Sequence, residues 1–422
     1  MFLTTIVRTF LTDAVPSLPS EGDVSTMPPK LLEAYNDSGG VQRYDEDGNP
    51  IKPKTIQNYV TELMDVFLPV GYPESVTPDY TPYQIYDSLQ AFSSTIAGLL
   101  SSRAVLQGFG VGDSASSATA AVLLTVLQES TGRLATILFA HRCGQAIQPE
   151  CKFYRFLADI VNDAALFLDV LAPALPTYPK VLAICGAGIL RALCGVSGGA
   201  AKAELSAHFA KNGNLAELNA KDGSQETVIS LLGMLVGSVF LKFVYKRNAV
   251  LAWMIVLVTI HLWTNYRAVR SVQMRTLNKQ RLCIMLKALE SHQTRVPDGM
   301  VDWLRPDQIA AKENILMWSQ PNISFANRLP RHGDITPTDL STFTKVPFVV
   351  VSRNGHKTIW MKKEAQEIDV IAAWAQAYSG QLYMPNTWNR SLKRAGWDVQ
   401  TNALETGSRI RIVVEEESKK SS

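Results

Sequence analysis

The pattern of apolar and polar positions divides the chain into three stretches. From about residue 59 the apolar residues recur with a helical period, first in "YVTELMDVFLPVGYP" (59–73), which stops at Pro69 and Pro73. A long helix follows the prolines of "TPDYTPYQIYDSLQAFSSTIAGLLSSRAVL". From Gln84 to Gln128 the only charged residues are Asp87, Arg103 and Asp113, and "GFGVGDSASSATAAV" (108–122) offers small faces that let helices approach closely. Further helical, charge-poor segments lie at 156–175, 181–201, 227–241 and 249–263, the last two free of charge. These two flank the basic connector "KFVYKRN" and predict a helical hairpin. Each arm has about 15 apolar residues against the about 20 of a full bilayer crossing. Tilted short spans, a re-entrant pair and a buried core pair therefore all fit. Tyr245, Trp253, Trp263 and Tyr266 sit near the arm ends, where an aromatic belt would lie.

The flanks read differently. Residues 14–55 are rich in Pro, Gly, Asp and Ser, and "DEDGNPIKP" (45–53) is turn chemistry, so a linker or arm is expected there. The first residues lack a basic segment followed by a clean apolar run, which argues for a short amphipathic helix over a secretory signal. Beyond Arg270, "RTLNKQRLCIMLKALES" is an amphipathic helix with a basic face, and 297–340 read as loop. "KVPFVVVSRNGHKTIWMKK" is a hairpin signal turning at Asn354-Gly355, and "EAQEIDVIAAWAQAYSG" is a helix ending at Gly380. "GWDVQTNALETGSRIRIVVEEE" suggests two more short strands. The expected organisation is an arm (1–58), a helical membrane-associated core (59–285), a loop-rich connector (286–340), a small α+β domain (341–416) and a disordered tail (417–422). The fold class is mainly α, a multi-helix membrane-embedded core with a small C-terminal α+β domain.

Composition sharpens this picture. Hydrophobic residues make up 46 % and charged residues 19 %, below the usual share of about 25 %. A net charge of +3 excludes the basic footprint of a nucleic-acid binder. Five dispersed cysteines without a CxxC pair suit a reducing compartment, and the six dispersed histidines show no metal-ligand spacing. An intracellular membrane is the expected location, with the organelle open.

Candidate chemistry is sparse. Asp159, Asn162 and Asp163 share one helix face, and two carboxylates a turn apart need solvent, a cation, an arginine or a proton between them. Ion pairing with Arg155 or Lys152 is the structural alternative. Arg103, Arg133 and Arg191 lie in charge-poor stretches, so each should pair with an acid such as Asp87, Asp159 or Asp163, hold an anionic ligand, or snorkel from a helix end. In "NAKDGSQETVISLLGMLVG" (219–237), Asp222 has N-cap character, with Gln225 three residues on as in a capping box and Glu226 in the first turn. That leaves Asn219 and Lys221 to an elbow that either lines a ligand entrance or docks the C-terminal domain. No nucleophile–base signature is present, and no enzymatic activity is expected.

Several long stretches together resemble one family, the root UVB sensitive family. They are "FLPVGYPESVTPDYTPYQIYDSLQAFSSTIAGLLSSRAVLQGFGVGD" (67–113), "STGRLATILFA" (130–140), "KFYRFLADIVNDAA" (152–165), "GGAAKAELSAHFAKNGNLAELNAKDGSQETVISLLGMLVG" (198–237), "TNYRAVRSVQMRTLN" (264–278) and the distal "AGWDVQ" (395–400). The family's usual GGATRA is here "GGAAKA", so Ala201 and Lys202 stand where Thr and Arg are usual. The charge at 202 is kept, but a bidentate contact is lost. The resemblance implies membrane association and, in plants, a link to UV-B response, vitamin B6 homeostasis and auxin transport. It carries over no catalytic residue and no resident cofactor. Pyridoxal phosphate is one anionic ligand that isolated arginines would suit. Three readings stay open: a membrane protein that moves or senses a small polar or anionic solute; a non-catalytic membrane scaffold recruiting a protein partner or family paralogue through its C-terminal domain; and a soluble helical cofactor-handling protein.

Overall fold

The structure is a computed structural model that describes residues 33–35, 41–44, 50–51, 66–108, 118–211, 213–291, 304–316, 319–343, 346–380 and 385–414. The chain forms two units, residues 1–61 and 62–422. In the first, β1 (Glu33–Tyr35), β2 (Val41–Tyr44) and β3 (Pro50–Ile51) make an antiparallel meander, with Ala34 opposite Gln42 and Arg43 opposite Ile51. The expected linker thus carries three short strands, and residues 45–49 lie outside the described residues. The expected N-terminal helix and residues 59–65 lie outside the described residues.

The second unit is built on six long helices: α1 (Tyr80–Gly108), α2 (Ala118–Ile147), α3 (Cys151–Leu171), α4 (Thr177–Phe209), α5 (Leu215–Phe243) and α6 (Arg247–Ser271). A 3₁₀ turn, Ala172–Ala174, joins α3 to α4. α1 packs against α3, α5 and α6, α3 against α4 and α6, and α2 runs along α4. Glycines set two of these approaches. A Cβ on Gly233 would stand 2.9 Å from Thr95 Cβ across α5 and α1, and one on Gly188 would stand 2.7 Å from Gln128 Cγ across α4 and α2. Close contact of this kind is how helices associate where lipid removes the hydrophobic drive.

Four helices are long and apolar enough to cross a membrane: Thr119–Ile147, Thr177–Phe209, Leu215–Phe243 and Arg247–Ser271. Their outer faces are apolar, with Leu123, Ile137, Leu235 and Ile255 all exposed, as lipid-facing positions would be. The expected hairpin is therefore α5 and α6. Its arms exceed the 15 residues read from composition because polar turns continue each helix past its apolar run. The connector shortens from seven residues to Val244–Lys246. Tyr245 lies in this connector, and Tyr266 lies 19 residues past the start of α6 at Arg247, about 28 Å at helical rise and close to a bilayer's hydrocarbon thickness. Trp253 and Trp263 are separated by ten residues, about 15 Å, so they do not mark opposite membrane faces.

Helix α7 (Lys279–Ser291) spans the boundary expected at residue 285, because its Leu282, Cys283, Met285 and Leu286 enter the core of the C-terminal domain. That core also receives Trp374, Ile371 and Ala375 from α10 (Glu367–Ser379), Leu392 from α11 (Pro385–Arg394), and Trp397. The expected loop at 297–340 contains α8 (Pro306–Ala310), β4 (Ile323–Phe325) and α9 (Pro337–Phe343). These elements are too short to show a period in sequence. β5 (Phe348–Arg353) and β6 (His356–Lys362) form the expected antiparallel hairpin, with Asn354 at φ +49° and Gly355 at φ +75°. β4 and β7 (Arg411–Ile412) both run parallel to β6 along its other edge. Only one of the two last expected strands forms. Asp398 instead makes a single parallel bridge to Thr276. Gly380 ends α10 in the left-handed conformation, as expected.

Candidate functional site

The polar residues of the bundle converge on one cleft of about 400 Å³ between α1, α3, α4, α5 and α6. Charges line it from mouth to floor. At the mouth, Lys202 Nζ of α4 donates to Glu226 Oε2 of α5 at 2.7 Å, with side chains 33 % and 56 % exposed. Along the wall, Arg155 of α3 binds Asp87 Oδ1 of α1 at 2.7 Å and both oxygens of Asp159 at 3.1 Å. The same guanidinium donates to Gln90 Oε1 at 3.0 Å. At the floor, His261 of α6 is 1 % exposed, and its Nδ1 lies 2.8 Å from Asp163 Oδ2. Gln90 Nε2 and Asn265 Nδ2 both donate to Asp159 Oδ2.

Helical spacing explains the convergence. Arg155, Asp159 and Asp163 recur every four residues, so they form one row on α3. Residues 198 and 199 of α4 are glycines, and a Cβ on Gly198 would stand 3.3 Å from Ala158 Cβ. The absence of side chains there brings α4 close to that row and leaves room for the cleft. Cys194, Gly195 and Asn162 complete the same wall.

Of the residues singled out in sequence, Asp87, Asp159, Asn162, Lys202 and Glu226 line the cleft, and Asp163 lies behind it. The three isolated arginines do not line it. Arg103 donates to Val244 O at 3.1 Å, anchoring the end of α1 to the α5–α6 connector. Arg133 faces outward on α2 beside Glu129, 3.5 Å away and one turn back. Arg191 pairs with Asp169, a buried residue of α3 that also accepts from Ser101 Oγ at 2.8 Å. The acids expected as their partners are taken by Arg155 and His261.

The cap assigned to Asp222 is corrected. α5 starts at Leu215, so Asp222 lies two turns inside the helix, and Asn214 holds the N-cap position. The polar start of α5 instead clasps residues 66–80. Asp222 Oδ1 accepts from Tyr80 Oη at 3.0 Å, Gln225 Nε2 donates to Phe67 O at 2.6 Å, and Lys221 Nζ donates to Val66 O at 3.2 Å. Glu226 is no first-turn residue; it guards the cleft. Sequence reasoning missed His261, Gln90, Asn265 and Asp169. A lone histidine inside an apolar run carries no spacing signal, and only its depth in the bundle distinguishes it.

A second buried charge cluster joins the bundle to the C-terminal domain. Glu313 accepts from Lys152 Nζ at 2.5 Å and from Arg281 Nε at 2.5 Å, all three being 5 % exposed or less. Burial would raise the Glu313 carboxyl, but the two cations outweigh it and hold it below its ordinary range. Gln280 and Asn314 exchange hydrogen bonds at 3.0 Å, and Arg270 donates to the carbonyls of Ala311, at 3.0 Å, and Glu313. Asn278 caps α7 by accepting from Arg281 N at 2.8 Å and donates to Glu150 Oε2 at 3.1 Å.

Residues 53–293 match the domain family described as "Vitamin B6 photo-protection and homoeostasis domain". That match covers more than half of the chain. The chain belongs to the root UVB sensitive family. It is 38 % identical over 257 residues to the Dictyostelium discoideum protein "RUS family member 1", covering 60 % of this chain and 47 % of that one. It is 29 % identical over 335 residues to "Protein root UVB sensitive 3" of Arabidopsis thaliana, covering 75 % of this chain and 74 % of that one. "Protein root UVB sensitive 2, chloroplastic", also from Arabidopsis thaliana, is 23 % identical over 343 residues, covering 79 % and 75 %. The chain thus spans about half the length of the Dictyostelium relative. No solved structure matches it. The cleft lies wholly within the matched span: Asp87 to His261 fall inside residues 53–293.

Proposed function

We propose that this member of the root UVB sensitive family is embedded in an intracellular membrane and binds a small polar solute in the bundle cleft, to move or to sense it. The observation that carries this reading is the cleft itself. Ionisable residues among membrane-spanning helices are costly and mark solute or ion paths. Here polar and ionisable residues of five helices, three of them (α4, α5 and α6) apolar and long enough to cross a membrane, are brought to one partly open space of about 400 Å³, a volume suited to a small molecule.

Charge balance indicates the class of solute. Asp87, Asp159 and Glu226 face the cleft against Arg155 and Lys202, and both cations already hold carboxylate partners. An anion would have to displace a carboxylate, whereas a cationic or zwitterionic amine meets three carboxylates shared between two cations. This favours an amine-bearing solute over an anion such as a phosphate ester. The reading includes no catalytic step. The organelle follows the relatives only loosely: one carries "chloroplastic" in its name.

The test is a thermal-stability screen of the full chain in nanodiscs against small amines, zwitterions, and anions including pyridoxal phosphate. Stabilisation by an amine or zwitterion, lost in Asp159→Asn, is the expected result. A response confined to anions, or one that Asp159→Asn retains, overturns the reading.

The scaffold reading draws on the separate C-terminal core. The Lys152–Glu313–Arg281 cluster and α7 tie that domain to the bundle. A partner or paralogue docked on it would therefore act on the bundle directly.

A further inference from the structure

We infer that Asp163 and His261 form a proton-binding site at the floor of the cleft, loaded and unloaded through the cleft itself. This rests on the reading of the cleft as a solute site and names the ion that accompanies the solute.

Charge accounting carries the argument. Around the floor, α1 contributes Asp87 and the Tyr83 phenol, α3 contributes Arg155, Asp159 and Asp163, and α6 contributes His261. From α4 come Cys194 and Lys202, and from α5 comes Glu226, which Lys202 neutralises. Three carboxylates thus face one guanidinium. In a medium of low dielectric such an excess is relieved by taking up a cation. Among the described residues no group of three or more His, Cys, Asp or Glu side chains is placed to hold a metal ion. A proton needs no coordination shell, only a base.

Two bases stand ready. Asp163 is 2 % exposed and its Oδ1 has no hydrogen-bond partner, an unusual state for a buried carboxylate oxygen. His261 donates Nδ1–H to Asp163 Oδ2, which leaves Nε2 as an acceptor. Nε2 lies 3.2 Å from Gln90 Nε2 and 3.7 Å from Asp159 Oδ2. Gln90 and Asp159 both line the cleft. A proton delivered by water in the cleft adds to His261 Nε2. The imidazolium then bridges Asp159 and Asp163, and Gln90 gives up its bond to the ring. Release to water reverses the step, and no other bond is made or broken. An amine bound beside Asp159 competes electrostatically with this proton, which links the two ligands.

The experiment is a pH titration of the full chain in nanodiscs, with ¹³C-labelled histidine observed by NMR and His261 assigned by His261→Gln. If that variant does not fold, replacing the other five histidines with glutamine leaves His261 as the sole reporter. The expected result is a His261 resonance that titrates within the pH range over which the protein stays folded. In Asp163→Asn its proton affinity falls at least about tenfold, because the carboxylate that favours the imidazolium is gone. A resonance invariant with pH, or a midpoint unmoved in Asp163→Asn, overturns the proposal. The solute screen is read separately. A titrating His261 without any stabilising amine keeps the proton site and removes the solute reading, while the converse removes the proton site alone.

Discussion

Among the described residues, the charge clusters of the bundle cleft and of the junction with the C-terminal domain are both buried and are built on opposite plans. At the junction with the C-terminal domain, Lys152 and Arg281 close on Glu313, with Glu150 nearby, so charge is balanced and both Glu313 oxygens are used. In the bundle, Asp87, Asp159 and Asp163 outnumber Arg155, Asp163 Oδ1 is left without a partner, and a cleft adjoins. A closed, balanced cluster has one low-energy arrangement and serves as a fastener. An open, unbalanced one still has something to bind. Burial alone does not separate the two, since Glu313 and Asp163 are both almost fully enclosed.

The strongest way to break this contrast is Glu313→Ala. Removing the shared acid strands two buried cations, and we expect a loss of about 3–5 kcal/mol. Thermal unfolding should show it, and limited proteolysis should find the C-terminal domain released. A loss no larger than that of a surface variant would mean that the junction is not a fastener.

The pH dependence of stability tests the same junction. Burial pushes the Glu150 carboxyl up to about 7 from an ordinary 4.5, so the folded state holds its proton more tightly than the unfolded one. Stability should then fall as pH rises from 4.5 to 7, and Glu150→Gln should flatten that fall and stabilise the protein at pH 8. At the acid end the sign reverses. Burial would raise the Asp79 carboxyl, but hydrogen bonds from His208, at 2.9 Å, and from the Gln273 amide, at 2.6 Å, outweigh it and hold it at about 2. Its contribution is present above 3.8 and is lost as pH falls towards 2. Denaturant melts across pH should trace both limbs.

The bundle cluster should respond differently to loss of an acid. Asp163→Asn removes one of three carboxylates and keeps an acceptor for His261, so stability should change by about 1 kcal/mol or less. Solute response, read as amine-induced stabilisation, should nonetheless weaken. A cost as large as that of Glu313→Ala would show that the two clusters play the same structural part. The smallest effect is expected for Lys221→Ala, which loses one hydrogen bond to Val66 O on a partly exposed face. A change within about 0.5 kcal/mol, with solute response intact, is the expected outcome in the same melts.

Much of the fold was legible in sequence because it rests on local signals. The paired arms of α5 and α6, the Asn354-Gly355 turn and the Gly380 helix end follow from hydropathy runs and residues suited to positive φ. The site was legible in part. Asp87, Asp159 and Asn162 stood out as polar groups in charge-poor stretches, Lys202 through the family pattern and Glu226 as a helix-start residue, and all five line the cleft. The arginines stood out for the same reason, with an acid, an anionic ligand or a snorkelled position open to each, because a sequence shows that a charge needs a partner but not which one it finds. Arg191 found Asp169, and Arg103 found a carbonyl.

Composition and periodicity determined by themselves that this chain builds a charge-poor helical bundle with a small α+β domain, and its long motifs determined its family. Tertiary structure alone decided where helices end, which acids share Arg155, and that His261 lies beneath Asp159 beside Asp163. The opening of α5 shows why. Asp222 and Gln225 look like a helix start when only near neighbours are considered, and Lys221 looks like part of an elbow before it. Their partners are Tyr80, Phe67 and Val66, some 140 to 160 residues away. Hydropathy and turn preference act over a few residues, whereas pairing of buried charge is settled only when distant helices meet and water is expelled between them.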